Sequence, residues 1–218
     1  MKKMFSVALS FILTSMLLCA GIASGQELEP IKLLPPRFDS GRPLMTVLKE
    51  RQSSREYSPE KLPLRVLSDL LWAAWGVNRP ESGKRTAPSA SNMQEIDVYV
   101  ATADGLYLYN AREHLLEPVL KADLRAQTGK QEFVKDAPVN LIFVADYSKM
   151  GNRSDEDKRF ISGADTGFIS QNVYLYCASE GLATVVRGMV DKPELEKAMK
   201  LGPNQKLVFA QTVGYPKK

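Results

Sequence analysis

Apolar residues recur at helical spacing through Leu64, Leu67, Leu71 and Ala74, and Leu70 and Trp75 widen the stripe. The stretch opened by Pro63 and closed near Gly76 is therefore predicted to be an amphipathic helix. Pro43 starts a shorter helix through Leu44, Val47 and Leu48 that ends near Arg51. The period changes in "IDVYVATADGLYLYN" (96–110), which predicts two strands around a turn at Ala103, Asp104 and Gly105. The second strand sends Leu106 and Leu108 to one side and Tyr107 and Tyr109 to the other. Residues 119–134 read as a mixed helical stretch, interrupted near Gly129. "VNLIFVAD" (139–146) predicts a strand buried on both faces, with a short buried helix as the alternative. The charged "SKMGNRSDEDKR" (148–159) reads as a mobile excursion or an approach to the next helix. That helix is predicted from about Ala164 to Glu180, apolar enough around its circumference to meet core on more than one side. "TVVRGMV" (184–190) gives a strand or strand exit, Pro193 begins a short helix to about Met199, and "KLVFAQTVGY" (206–215) gives the last strand. Helices interspersed among separated strands make this a mixed α+β domain, without internal repeats.

The first residues follow another logic. Lys2 and Lys3, an apolar run from Met4 to about Ile22, and the small residues Ala23-Ser24-Gly25 have the form of an export signal, residues 1–25, cleaved after Gly25. An uncleaved anchor or a lipoprotein is the alternative, although Cys19 follows two leucines rather than a small residue. Residues 26–42, with three prolines, form an extended arm, and 43–218 a single domain. The mature chain is expected to be exported, periplasmic or secreted, with no membrane span of its own.

Composition narrows the chemistry. The formal charge of +4 falls to +2 once Lys2 and Lys3 leave with the signal, which contains no acid. The remaining lysines and arginines are mixed with acids, unlike a phosphate-binding stripe, so no nucleic acid partner is expected. Of the two cysteines only Cys177 survives processing, which excludes an internal disulfide in the mature chain, and a buried, unreactive thiol is the simpler reading. His114 is the only histidine, so a histidine-rich metal site and an unaided Ser-His triad are both disfavoured, and no metal site is expected. Neither G-x-G-x-x-G after the first strand nor a phosphate-loop motif is present. The acids are scattered, and no carboxylate pair can be nominated.

Two polar segments stand out. The loop "GVNRPESGKRTAPSASNMQ" (76–94) is long for a connection and of the kind that carries binding groups on a rigid scaffold, with a surface linker as the bland alternative. "RQSSREY" (51–57) concentrates arginine, whose planar donors suit phosphate, with serine hydroxyls. If extended, it directs Arg51, Ser53 and Arg55 to one side; in a helix Arg51 and Arg55 align without Ser53. A charged turn ahead of Pro59 is the structural alternative.

Taken in order, "RQSSREY", "RTAPSASNMQ", "GKQEFVKDAPVNLIFVAD", "GADTGFISQNVYLYCASEGLAT" and "LVFAQTVGYP" resemble the FMN-dependent nitroreductase family, including the branch related to oxidases of thiazoline-containing peptides. The resemblance covers most of residues 44–216. It implies a three-layer α+β fold with a central mixed or antiparallel sheet flanked by helices, and a homodimer with FMN at intersubunit sites. Arg51, Ser53 and Arg55 inherit contacts to the flavin phosphate and polar edge, with Gln52 beside them. Pro88, Ser89, Ala90 and Asn92 approach the flavin from the partner subunit, with Arg85 as a further polar contact. Gly188 matches a backbone position near the isoalloxazine, and Lys217 stands where a basic phosphate contact often follows. No catalytic protein nucleophile is implied; electrons or hydride pass through flavin to or from a small planar molecule such as a quinone or nitro compound. A noncatalytic binding module on the same dimeric scaffold is the alternative. Two departures mark this chain: Glu95-Ile96 stands where many members have Pro-Trp, and Arg187 precedes Gly188 where many have an acid.

Overall fold

The computed structural model describes residues 27–217, so the proposed leader lies outside the described residues. Its centre is a seven-stranded sheet in the order β1-β6-β5-β4-β7-β9-β8, with antiparallel pairing throughout. The strands are β1 (Ile31–Lys32), β4 (Ile96–Ala101), β5 (Leu106–Asn110), β6 (Leu115–Leu120), β7 (Val139–Asp146), β8 (Ala183–Arg187) and β9 (Gln205–Gly214). A separate ribbon pairs β2 (Val77–Arg79) with β3 (Lys84–Arg85). The helices are α1 (Leu44–Glu50), α2 (Leu64–Trp75), α3 (Asp155–Glu180) and α4 (Lys192–Ala198).

The strand β7 fulfils the expectation of burial on both faces, and its alternation generates the layers. Leu141, Phe143 and Ala145 join the core built with Leu70, Leu71 and Trp75 of α2 and Ile169, Val173 and Cys177 of α3. Ile142 and Val144 turn the other way, toward Leu195 of α4, Met199 and Leu124. A sheet with apolar residues on both faces must be covered twice. Helices lie on both sides, the three-layer arrangement expected. Among the described residues no helix is long and apolar enough to cross a membrane.

Two stretches differ from the sequence expectation. Residues 119–134 contain no α-helix: the end of β6 is followed by short 3-10 turns at Arg125–Thr128 and Glu132–Lys135. Pro118 and Glu117 hid the strand, whose pairing with β5 is set by the tertiary register rather than by its own alternation. The helix α3 begins nine residues earlier than predicted, inside the charged segment. Ser154 Oγ accepts the Asp157 N–H at 3.1 Å, and Asp155, Glu156 and Asp157 occupy the first turn, where acids suit the helix dipole. Gly181, left-handed at φ 69°, ends it.

The proline-rich arm is stitched down at several points. Its two-residue strand β1 pairs with β6, Leu34 N–H donates to Ser68 Oγ at 2.9 Å, and Arg37 pairs with Asp69 at 2.9 Å.

Candidate functional site

The segment 51–57 is extended, as one of its two sequence readings required. Arg51 terminates α1, its N–H donating to Val47 O at 2.8 Å. The chain then runs along the outer edge of β8, where Ser54 N–H donates to Thr184 O at 2.9 Å. Farther on, Tyr57 forms an isolated bridge with Pro216, and Lys217 N–H donates to Glu56 O at 3.3 Å. The C-terminal residues and the arginine-serine segment thus brace each other.

Tyr174 of α3 is the hub. Its hydroxyl accepts the Val186 N–H at 3.0 Å and shares a second hydrogen bond with Ser53 Oγ at 2.9 Å. Arg51 lies over the same ring, 5.2 Å from the centroid. Alternation therefore brings Arg51 and Ser53 to one phenol. Arg55 is exposed and, among the described residues, makes no hydrogen bond or ion pair. Sequence reasoning did not single out Tyr174; "YLY" on a predicted core helix carries no signal that one hydroxyl will meet a strand edge.

Beside this hub lies an open cavity of about 510 Å³, bounded by Arg51, Gln52, Ser54, Tyr174 and Thr184. Its lining carries Arg42, Lys49 and Arg51 against the single carboxylate of Glu50, which Arg42 engages. Among the described residues Arg51 has no carboxylate partner. The cavity lining is therefore cationic on balance and includes Ala183 and Thr184 of the edge strand β8. Cys177 also borders it, but the thiol is fully buried and burial pushes its pKa upward, away from thiolate chemistry.

The second polar loop is ordered and strained. Ser91, Asn92 and Gln94 all have left-handed backbones, with φ of 52°, 54° and 49°. Ser89 Oγ accepts the Gln94 N–H at 3.1 Å, and Gln94 Nε2 donates to Gly83 O at 3.0 Å. Arg85 braces the loop: Nε donates to Gln94 Oε1 at 2.8 Å and Nη1 to Trp75 O at 3.0 Å, with the guanidinium 4.7 Å from the Trp75 ring centroid. Ala90 N–H donates to Asp165 Oδ2 on α3 at 2.8 Å. Pro88, Ser91 and Asn92 are exposed, whereas Ser89 and Ala90 are half-buried.

Both polar segments are fixed to α3, but at different places. Asp165 and Tyr174 are separated by nine residues, about 13 Å along the axis and roughly half a turn around it. Pro88, Ser89, Ala90 and Asn92 do not border the Arg51 cavity. One chain alone does not bring the two motifs together.

The end of β8 distinguishes two neighbours. Arg187 is only 5% exposed, and its guanidinium donates to Thr128 O at 2.6 Å, Asn140 Oδ1 at 3.0 Å and Thr212 Oγ1 at 3.1 Å. It clasps the 3-10 segment to β7 and β9, with no carboxylate partner among the described residues, and burial lowers its pKa to about 10. Gly129 makes room for it, since a Cβ there would stand 1.9 Å from Arg187 Nη1. Gly188, by contrast, is exposed, and an added Cβ would meet nothing closer than Phe209 at 3.5 Å.

The sequence could not pair distant acids, but the fold does. Glu95, fully buried, faces Asp165, 2% exposed, and neither Glu95 carboxyl oxygen has a donor. Burial, reinforced by the Asp165 carboxylate, raises the Glu95 pKa to about 7. Among the described residues no cluster of histidine, cysteine and acids is disposed to hold a metal.

Comparison with known proteins gives concordant results. Residues 48–215 match the sequence profile described as the nitroreductase family. A protein of Methanocaldococcus jannaschii with a provisional nitroreductase name is 34% identical over 169 residues, 72% of this chain and 84% of that protein. The crystal structure of a provisionally named nitroreductase from Ralstonia eutropha JMP134 is similar with a TM-score of 0.85 and 44% identity, covering 89% of this chain and 92% of that one. A chain of the E. coli microcin synthetase McbBCD complex, solved with truncated pro-MccB17 bound, shares the fold at a TM-score of 0.67 and 19% identity, over 96% of this chain and 85% of that one.

Proposed function

The chain belongs to the nitroreductase family, whose chemistry is flavin-dependent oxidoreduction, and from that premise we propose that it is an FMN-dependent oxidoreductase acting on a small planar substrate. The observation that carries this reading is Arg51: a guanidinium without a carboxylate partner among the described residues, stacked on Tyr174 in the cationic lining of an open cavity beside a strand edge.

The residues present fit the cofactor. A cavity of about 510 Å³ is in the range of small-molecule sites. Arg51 offers the planar donors that phosphate favours, and Gln52 and Ser53 add polar atoms alongside. Arg55 and Lys217, both exposed, add positive charge along the same segment. The unobstructed Gly188 backbone suits close approach by a flat ring system. Bound flavin supplies reversible hydride or electron exchange, so that no protein nucleophile is required. The chain's part is to fix the phosphate, cover one ring face and leave the other open to a quinone, a nitro compound or another planar acceptor.

Half a site per chain supports a homodimer. The Pro88–Asn92 loop and the Arg51 cavity lie on different sides of α3, so a second copy is the economical source of the loop that completes each cavity. Apolar side chains exposed on α1 and α3, among them Met45 (76%), Leu44 (61%) and Phe168 (49%), support burial against such a copy. The charge and apolar pattern of residues 1–25 supports export of the mature chain, with flavin acquired afterwards.

The test is reconstitution. Purified mature protein, mixed with FMN and freed of excess, should retain a flavin absorption spectrum and sediment as a dimer. A folded dimer that fails to retain FMN would overturn the proposal and favour a noncatalytic binding module.

A further inference from the structure

Ionised carboxylates only accept hydrogen bonds, so two of them facing each other in a buried site repel and satisfy nothing. Glu95 is placed this way, with Asp165 the neighbouring carboxylate that acts on it. Glu95 is fully buried with both carboxyl oxygens lacking a donor, and Asp165 is 2% exposed. One proton turns the arrangement into a donor and an acceptor. The neighbouring bonds indicate where it sits: Asp165 Oδ2 already accepts the Ala90 N–H at 2.8 Å, while Glu95 has no donor to stabilise its ionised form.

The other charged groups nearby do not replace that proton. Lys149, from the turn Tyr147–Met150, is the cation acting on Glu95, but it is held by Asp97 on β4 at 2.9 Å and lies 4.0 Å from Asp146 at the end of β7. Asp146 meets Glu95 only through the backbone, its N–H donating to Glu95 O at 2.8 Å. Arg85 is turned to Gln94 and Trp75.

The placement along the chain gives the pair its consequence. Asp165 grips Ala90 near the start of the loop, and Glu95 is the residue immediately after Gln94 at its end. Between them lie the three left-handed residues Ser91, Asn92 and Gln94, a conformation that persists only where its surroundings impose it. We infer that Glu95 holds a proton toward Asp165 and acts as a positioning clasp that braces the Ser89–Gln94 loop, so that losing the proton loosens the loop's ligand-facing surface. As applied to cofactor retention, this rests on the FMN reading above.

The test uses the full mature chain, wild type and Glu95→Gln, whose amide can still donate to Asp165 but does not titrate, together with Glu95→Ala. Infrared spectra of the wild type should show the deuterium-sensitive C=O stretch of a buried protonated acid, absent from Glu95→Gln and lost as pH rises through neutrality. Amide exchange over residues 88–95 should be faster in wild type than in Glu95→Gln above neutrality and equal below it. FMN affinity should fall about fivefold or more over the same rise in wild type, stay flat in Glu95→Gln and be weak at every pH in Glu95→Ala. A wild type that lacks the protonated-acid band, or exchange that matches Glu95→Gln at all pH values, overturns the clasp even if FMN binds normally. Failure of every form to bind FMN overturns the cofactor reading, while the infrared and exchange results still decide the clasp. Should Glu95→Gln not fold, the wild-type infrared titration alone decides it.

Discussion

Replacing Arg51 by alanine separates a ligand-holding arginine from a structural one. Within the chain Arg51 makes a single described interaction through its side chain, the stacking on Tyr174 at 5.2 Å. Such a contact at a partly exposed site stabilises by about 0.5–1 kcal/mol, and for a domain of this size a loss of that order lowers Tm by only about 1–4 °C. A charge-assisted hydrogen bond to a phosphate is worth about 1.5–3 kcal/mol, equivalent to a roughly 10- to 150-fold weaker Kd for FMN. Arg51→Lys keeps the charge without the planar fork and should fall between the two. Arg55→Ala, at an exposed position outside the cavity, should have a smaller effect, and added salt should shrink both. The assay is quenching of flavin fluorescence on titrating apoprotein, beside thermal melts of each variant. Unchanged FMN affinity in Arg51→Ala would refute the phosphate assignment. A large drop in Tm would refute the claim that the side chain is free for a ligand.

Gly188→Ala should leave denaturant unfolding unchanged, because the new Cβ meets only Phe209 at 3.5 Å, yet weaken FMN retention measured by equilibrium dialysis. Gly129→Ala should do the opposite kind of damage: a Cβ 1.9 Å from Arg187 Nη1 displaces a buried guanidinium from its acceptors, costing about 3 kcal/mol in urea unfolding. Stability should also depend on pH through Glu95. Its pKa rises from 4.5 to about 7 on folding, so the folded chain holds the extra proton; the contribution is complete below 4.5 and is lost as pH rises to about 7. Melts across that window should show a decline of at most about 3 kcal/mol that Glu95→Gln lacks.

Much of the fold was legible because burial writes itself into periodicity. The helix α2, the hairpin of β4 and β5, and β7 each carry enough apolar residues at the right spacing to define a buried face. The strand β6 and the true start of α3 were not legible in that way. The pairing of β6 is imposed by β5, and the first turns of α3 are stabilised by a serine cap and the helix dipole rather than by an apolar stripe. The departure at Arg187 became interpretable only in three dimensions: its guanidinium turns away into Thr128, Asn140 and Thr212, while the adjacent Gly188 stays open.

By itself the sequence determined the α+β class, the ordered family motifs and the residue types able to hold an anion, because these depend on local spacing and on side-chain chemistry. Only the tertiary structure decided that Tyr174 gathers Arg51 and Ser53, that the two polar motifs stand on different sides of α3, and that Glu95 meets Asp165. Each of those facts joins residues far apart in the chain, and their meeting is set by how the sheet and α3 pack, a relation no local pattern encodes.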